Sequence, residues 1–131
     1  MIKKAKLVEY WKENSIEDLA AAKDIAIKAS RNIHALFFLH LAIEKVLKAL
    51  FVHINGTQAP LIHNLLLLAN KSNLTLSDED TNLLLELNEF NLGCRYPDDI
   101  QEIKKIASNE FTKHYLDKVE VFHKWILEKL N

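Results

Sequence analysis

The chain has 131 residues, of which 49% are hydrophobic and 27% are charged. Its 17 lysines and arginines nearly balance 18 aspartates and glutamates, which gives a formal net charge of −1 at pH 7. This length predicts one domain, residues 1–131, and it suffices for a hydrophobic core without disulfides or a metal. The balanced charge argues against general nucleic-acid binding, which usually shows a basic excess, and leaves only a local basic face open.

The single cysteine and the hydropathy pattern predict a cytoplasmic protein. Cys94 has no second cysteine to pair with, which is typical of a reducing compartment. The basic start of the chain is not followed by the long apolar run of a signal peptide. The longest apolar stretch, residues 35–52, is interrupted by charged residues and His40, so it predicts a core helix rather than a membrane span.

The first half of the chain predicts two long helices. Residues 3–30 favour one long helix, although Ser15 with Asp18 could be a capping pair that starts a second one. If the helix is continuous, we expect Ser15 to be exposed. A second helix is predicted over residues 33–53, and it should end at Asn55-Gly56, since glycine commonly follows a helix C-terminus.

The second half predicts shorter helices and one long final helix. A helix over residues 61–71 is followed by a helix that opens at the acidic turn after Ser77 and runs to residue 91. A loop at 92–99, a short helix at 100–107 and a long helix at 109–130 complete the chain. No stretch alternates with period two, so we predict an all-α, up-down helical bundle of four to five main helices.

The most informative segment is FFLHLAIEKVLKAL, residues 37–50, a helix that is apolar nearly all round yet contains charges. Buried charges need partners, and Glu44 and Lys48 are four residues apart in the favourable orientation. The simpler interpretation is a structural ion pair, which could extend to Arg95. The alternative is a polar pocket for phosphate or nucleotide, which would include Lys45.

Arg95, in the segment CRYPDD, is the second candidate. An arginine binds carboxylate or phosphate with two parallel hydrogen bonds, so a loop arginine beside Tyr96 and Asp98 could hold a ligand. The simpler interpretation is that Arg95 pairs with Glu44 or a neighbouring aspartate and fixes the loop.

The six histidines form no metal-binding spacing, because the chain contains neither His-x-x-x-His nor Cys-x-x-Cys. We therefore predict no metal and no cofactor. His40 is expected to be a core histidine with a satisfied ring, and His63 to cap or orient its helix. Histidine is the side chain most often used as a general acid or base, but the sequence identifies no partner for either.

Four motifs occur in one order along the chain: Trp11 with Asp18-Leu19 and Ala22, then Ala42-Ile43-Glu44-Lys45-Val46-Leu47-Lys48-Ala49, then His63-Asn64-Leu65, then Arg95-Tyr96-Pro97-Asp98. This pattern resembles the HEPN family, small all-helical domains found beside nucleotidyltransferases and in nucleic-acid defence systems. The resemblance implies a helical bundle, a homodimer and a minimal nucleotidyltransferase as partner in a toxin–antitoxin-like pair.

The chain departs from that family at two points. It has His40-Leu41 where the family often has Gln-Gln. The ribonuclease branch carries an arginine, then four to six residues, then a histidine. Here Arg31 precedes His34 by two intervening residues and His40 by eight, and Arg95 precedes the next histidine, His114, by eighteen.

The absent motif favours a non-catalytic binding and assembly module over an enzyme. Its polar cluster, for a ligand or an interface, would consist of Glu44, Lys45, Lys48, Arg95, Tyr96 and Asp98, with His40 and His63 as weaker candidates. The alternative is a divergent, metal-independent ribonuclease toxin in which Arg95 holds the phosphate and His40 or His63 moves the proton. A third alternative is a small-molecule-binding domain without a connection to nucleic acid.

A homodimer is also expected from the apolar pattern itself. The second helix has more apolar surface than one helix of a small bundle needs, and Trp125 lies off the main apolar stripe of the last helix. Symmetric two-fold pairing is the commonest way to cover such surface.

Overall fold

The computed structural model describes residues 3–28 and 31–131. It contains six α-helices: α1 (Lys4–Lys28), α2 (Asn32–Asn55), α3 (Leu65–Lys71), α4 (Asp78–Asn88), α5 (Pro97–Ile106) and α6 (Asn109–Lys129). A 3₁₀ turn, Leu92–Cys94, lies between α4 and α5, and no strand occurs in the described ranges. The all-α bundle with long first, second and last helices is therefore confirmed.

Polar side chains mark the starts of three helices. Asn64, Ser77 and Ser108 each accept a hydrogen bond from a backbone N–H in the first turn of α3, α4 and α6. These caps explain one error in the predicted boundaries. The helix expected from residue 61 begins only at Leu65, because Asn64 caps it and the preceding residues form a loop.

Other boundaries also differ from the prediction. The helix expected from residue 100 begins already at Pro97, where proline fits the first helical position because its missing N–H would have no helical partner. α4 ends at Asn88 rather than residue 91. α2 ends as predicted, with Gly56 in the left-handed region at φ 73° donating its N–H to the Val52 carbonyl.

α1 is one continuous helix, as favoured, but the expectation that Ser15 is exposed was wrong. Ser15 is fully buried, and its hydroxyl donates to the Lys12 carbonyl within α1 and contacts His123 of α6. The predicted end of the helix at residue 30 lies outside the described residues.

α2 is the central helix and packs against each of the other five. Two contacts fix its direction against α1: Trp11 lies by Lys48 and Asp18 by Lys45, so the two helices are antiparallel. Asn32, at the start of α2, donates to Asn109, at the start of α6, so these two run in the same direction. α4 runs antiparallel to α6, so the directions of α1, α2, α4 and α6 alternate along the chain, as in an up-down bundle.

The burial of α2 removes one argument for a homodimer. Its apolar side chains, including Leu36, Leu39, Ile43 and Leu47, are completely buried within one copy of the chain. The apolar surface that suggested a second copy is thus covered by the other helices. The homodimer stays a prediction. No helix in the described part of the chain is long and apolar enough to cross a membrane.

Candidate functional site

Glu44 is the centre of a buried polar cluster on α2. The residue is only 5% exposed, and both carboxylate oxygens face a cationic or titratable group. Oε2 accepts a hydrogen bond from Lys48 Nζ at 3.2 Å, and Oε1 lies 3.1 Å from His63 Nδ1. The expected Glu44–Lys48 pair is therefore confirmed, and the loop before α3 brings a third group to it.

Lys48 is 4% exposed and lies between Glu44 and α1. Its ammonium is 5.2 Å from the centroid of the Trp11 ring, which is within the range of a cation–π contact. An ammonium has three hydrogen-bond donors, and the described structure supplies one acceptor, Glu44. The helix spacing predicted the ion pair, whereas nothing in the sequence predicted the aromatic face.

His63 presents its ring to solvent on one side and to Glu44 on the other. The side chain is 59% exposed, yet the carboxylate holds its Nδ1. His63 was expected to cap or orient its helix. It does not cap α3, because the neighbouring Asn64 does so by accepting from the Leu67 N–H. An exposed imidazole oriented by a buried carboxylate is a chemically useful arrangement, since the carboxylate fixes the ring's tautomer and direction.

His40 is fully buried one turn before Glu44, and its ring is only half satisfied. Nε2–H donates to the His63 carbonyl at 3.3 Å, while Nδ1 is buried without a hydrogen-bond partner in the described structure. Burial lowers the pKa of His40 from its ordinary 6.5, and the charges of His63 and Arg95 lower it further. Glu44 and the bond to the His63 carbonyl oppose them. His40 is thus a neutral histidine without access to solvent.

Arg95 lies near this cluster but does not join it. Nη2 contacts Glu89 Oε2 at 2.9 Å and donates to the Asn88 carbonyl at 3.2 Å. The expectation that Arg95 pairs with Glu44 or an adjacent aspartate was therefore wrong: the bundle brings the end of α4 to it instead. Its Nε is buried and has no partner among the described residues.

The remaining predicted residues point elsewhere. Lys45 contacts Asp18 of α1 at 2.7 Å, because the one-residue step from Glu44 turns it to another side of α2. Tyr96 is 78% exposed, and Asp98 is exposed in the first turn of α5. The structure thus brings together Glu44, Lys48, His40 and His63, with Arg95 beside them.

Three contacts of the predicted site residues escaped sequence reasoning: those made by Trp11, Asp18 and Glu89. Asp18 belongs to one of the four quoted motifs. Since a lysine in a largely apolar helix requires an acidic partner, the sequence contained a signal for the Lys45–Asp18 pair. Glu89 carries no such signal, because its distance from Arg95 corresponds to no helical repeat. No group of three or more His, Cys, Asp or Glu residues that could hold a metal occurs in residues 3–28 and 31–131.

The fold and the cluster define a small all-α domain built round a central helix with a buried, paired charge. The HEPN domain family matches residues 8–130, nearly the whole chain, and the protein belongs to this family. A similar solved structure is the crystal structure of TT1696 from Thermus thermophilus, with a TM-score of 0.75 and 19% identity. The match covers 93% of this chain and 97% of that one, and at this identity it shows a shared fold. No curated protein is significantly similar in sequence.

Proposed function

We propose that this HEPN domain is a non-catalytic binding and assembly module, which pairs with a minimal nucleotidyltransferase in a toxin–antitoxin-like system and acts as a homodimer. One observation carries the non-catalytic part: two of the groups considered for acid–base and phosphate chemistry, His40 and Arg95, are already engaged. His40 is fully buried, and the guanidinium of Arg95 contacts Glu89 and the Asn88 carbonyl. The absent Arg-x4–6-His motif supports the same conclusion.

Exposed side chains next to the engaged polar groups supply the surface for a partner. Tyr96 follows Arg95 directly and is 78% exposed, and Leu61, two residues before His63, is 96% exposed. Tyrosine and arginine are frequent anchors in protein interfaces. The Glu44–Lys48 pair is a fixed part of the fold, because separating a buried ion pair costs several kcal/mol. The Arg95 side chain is 27% exposed, so the exposed part of its guanidinium offers a donor to the phosphate of a nucleotide or to an acceptor of the partner.

The test is affinity purification of the tagged protein from its native cells, with both protein and RNA identified. We expect a nucleotidyltransferase to co-purify with the wild type and to be lost with Tyr96→Ala. Val121→Ala is the matched control, since Val121 is an apolar residue on α6 that is also largely exposed, at 73%. Purification without a nucleotidyltransferase, or equal loss in both variants, would contradict the proposal.

A second function, a metal-independent ribonuclease, is favoured by the Glu44–His63 pair. In such a reaction a base takes the proton of the ribose 2′-hydroxyl, and the 2′-oxygen attacks the phosphorus to form a 2′,3′-cyclic phosphate. The bond from phosphorus to the 5′-oxygen breaks, and the 5′-oxygen takes a proton from water. His63 is exposed and oriented by Glu44 at 3.1 Å, so it could be the base. Arg95 would then stabilise the phosphate.

Cleavage of RNA in the presence of EDTA distinguishes this function from the first. His63→Asn and Arg95→Ala should each abolish cleavage, whereas His34→Asn, at an exposed histidine of α2, should leave it unchanged. A wild type that does not cleave RNA, or a His63→Asn variant that cleaves normally, would exclude His63 as the base. Fragmented RNA that co-purifies without a nucleotidyltransferase would favour this function over assembly.

A further inference from the structure

A groove of about 580 Å³ lies between the first half of α1 and the loop before α3. Small-molecule sites in proteins are mostly apolar clefts of roughly 300 to 1,000 Å³, so this groove has a suitable size. Six of its lining residues are apolar or aromatic: Leu7, Tyr10, Trp11, Ala59, Pro60 and Leu61.

The apolar lining is left open to solvent. Leu61 is 96% exposed and Tyr10 is 56% exposed, although both are large apolar side chains. Covering such surface is favourable because it removes apolar side chains from water. An occupant with an apolar, ring-shaped body would gain this energy against Tyr10, Pro60 and Leu61.

The charges of the groove define the polar end of the occupant. Lys6 and Lys48 line it, and none of its described lining residues is acidic. Lys48 is 4% exposed and uses one of its three donors, on Glu44. The Trp11 Nε1–H is buried without an acceptor in the described structure. The groove therefore contains hydrogen-bond donors that have no acceptor. The one side-chain oxygen of the Gln58 amide, which also lines the groove, already accepts from the Ala59 N–H.

We propose that this groove binds a small amphipathic carboxylate, with its apolar body against Tyr10, Pro60 and Leu61 and its carboxylate on Lys48. Lys6, exposed at the groove, adds long-range attraction for the negative charge. A carboxylate accepts strong, charge-assisted hydrogen bonds from an ammonium, so a neutral analogue binds less well. This site goes beyond the assembly function, because it needs neither a protein partner nor RNA.

The two tryptophans allow a direct test by NMR of the ¹⁵N-labelled full chain. The probe is naphthalene-2-carboxylate, compared with its neutral analogue, 2-naphthalenemethanol. Trp125, on α6 with Lys129 Nζ 4.8 Å from its ring centroid, is a second lysine–tryptophan pair and serves as an internal control. We expect the indole N–H signal of Trp11 to shift saturably with the acid while that of Trp125 stays, and the alcohol to bind roughly tenfold more weakly or worse.

Two matched variants distinguish the groove from general apolar binding. Leu61→Asp places a negative charge at an exposed position, so the fold is kept and the acid should bind roughly tenfold more weakly or worse. Val121→Asp makes the same kind of change on α6, and binding should be unchanged. The oligomeric states of the wild type and of Leu61→Asp are measured in parallel by sedimentation.

Four results would overturn the proposal. The first two are an unchanged Trp11 indole signal at millimolar naphthalene-2-carboxylate, and equal affinities for the acid and the alcohol. The third is an equal loss of affinity in Leu61→Asp and Val121→Asp, and the fourth is a wild-type dimer that does not bind the acid and that Leu61→Asp dissociates. The last result would assign the groove to a second copy of the chain. If no nucleotidyltransferase co-purifies, the assembly proposal fails, but carboxylate binding measured by NMR is unaffected. The two proposals can therefore be refuted independently.

Discussion

The buried side chain of His123 is expected to destabilise the fold at acid pH, and the effect of this one residue can be measured. His123 is 3% exposed on α6, and its Nε2 lies 3.0 Å from Ser15 Oγ. Because the hydroxyl proton of Ser15 goes to the Lys12 carbonyl at 2.7 Å, Nε2–H must donate to Ser15. Burial lowers the pKa of His123 to about 4 from its ordinary 6.5.

The direction and size of the effect follow from proton linkage. The unfolded chain takes up a proton at His123 below pH 6.5, whereas the folded chain does so only near pH 4. Stability is therefore lost progressively as the pH falls from 6.5 towards 4. With about 1.4 kcal/mol per pKa unit, the loss from this one residue is roughly 2 kcal/mol between pH 7 and pH 5, and approaches about 3 kcal/mol at pH 4.

The assay is urea unfolding of the wild type and His123→Gln at pH 7, 6 and 5. Glutamine keeps an N–H for Ser15 but does not titrate. The free energy of unfolding of the variant should therefore fall by roughly 2 kcal/mol less than that of the wild type over this range. His40, whose pKa is also lowered, contributes equally to both proteins and cancels in the comparison. The same pH slope in both proteins would refute the assignment of a buried, neutral His123.

Glu44→Leu should destabilise the fold by about 3–5 kcal/mol, because it leaves the Lys48 ammonium buried without its carboxylate. The double variant with Lys48→Met should recover most of this in urea unfolding, and a double variant no more stable than Glu44→Leu would show that Lys48 is not the cause. Asn64→Ala should cost about 1 kcal/mol, since it removes the N-cap of α3; unchanged thermal unfolding would contradict that role. Lys105→Ala should change stability by less than about 0.5 kcal/mol, because its contact with Glu102 is fully at the surface, and a larger loss would contradict this.

Local chemistry explains why the helices themselves were predictable. The apolar stripe of α6, the acidic turn of α4 and Gly56 after α2 act over distances of a few residues, where the sequence order and the spatial order coincide. The two wrong helix starts occurred where a neighbouring side chain decides between two possible first residues. Asn64 and Pro97 do so for α3 and α5.

The candidate site was predictable only within one helix. The Glu44–Lys48 pair follows from a four-residue step along α2, and its burial follows from the apolar residues around it. The partner of Lys45 could not be predicted from α2 alone, because it is Asp18 of α1. His63 was expected to act within its own helix, and only the path of the loop brings it to Glu44.

The sequence alone therefore determined the helical class, the family resemblance and the presence of charges in a buried helix, since each of these depends on local pattern. The tertiary structure decided which charge meets which. Arg95 contacts Glu89 instead of Glu44, and Ser15 meets His123 across 108 residues of chain. Such pairings depend on how the helices pack, and packing is set by the summed burial of many side chains rather than by any two residues that finally touch.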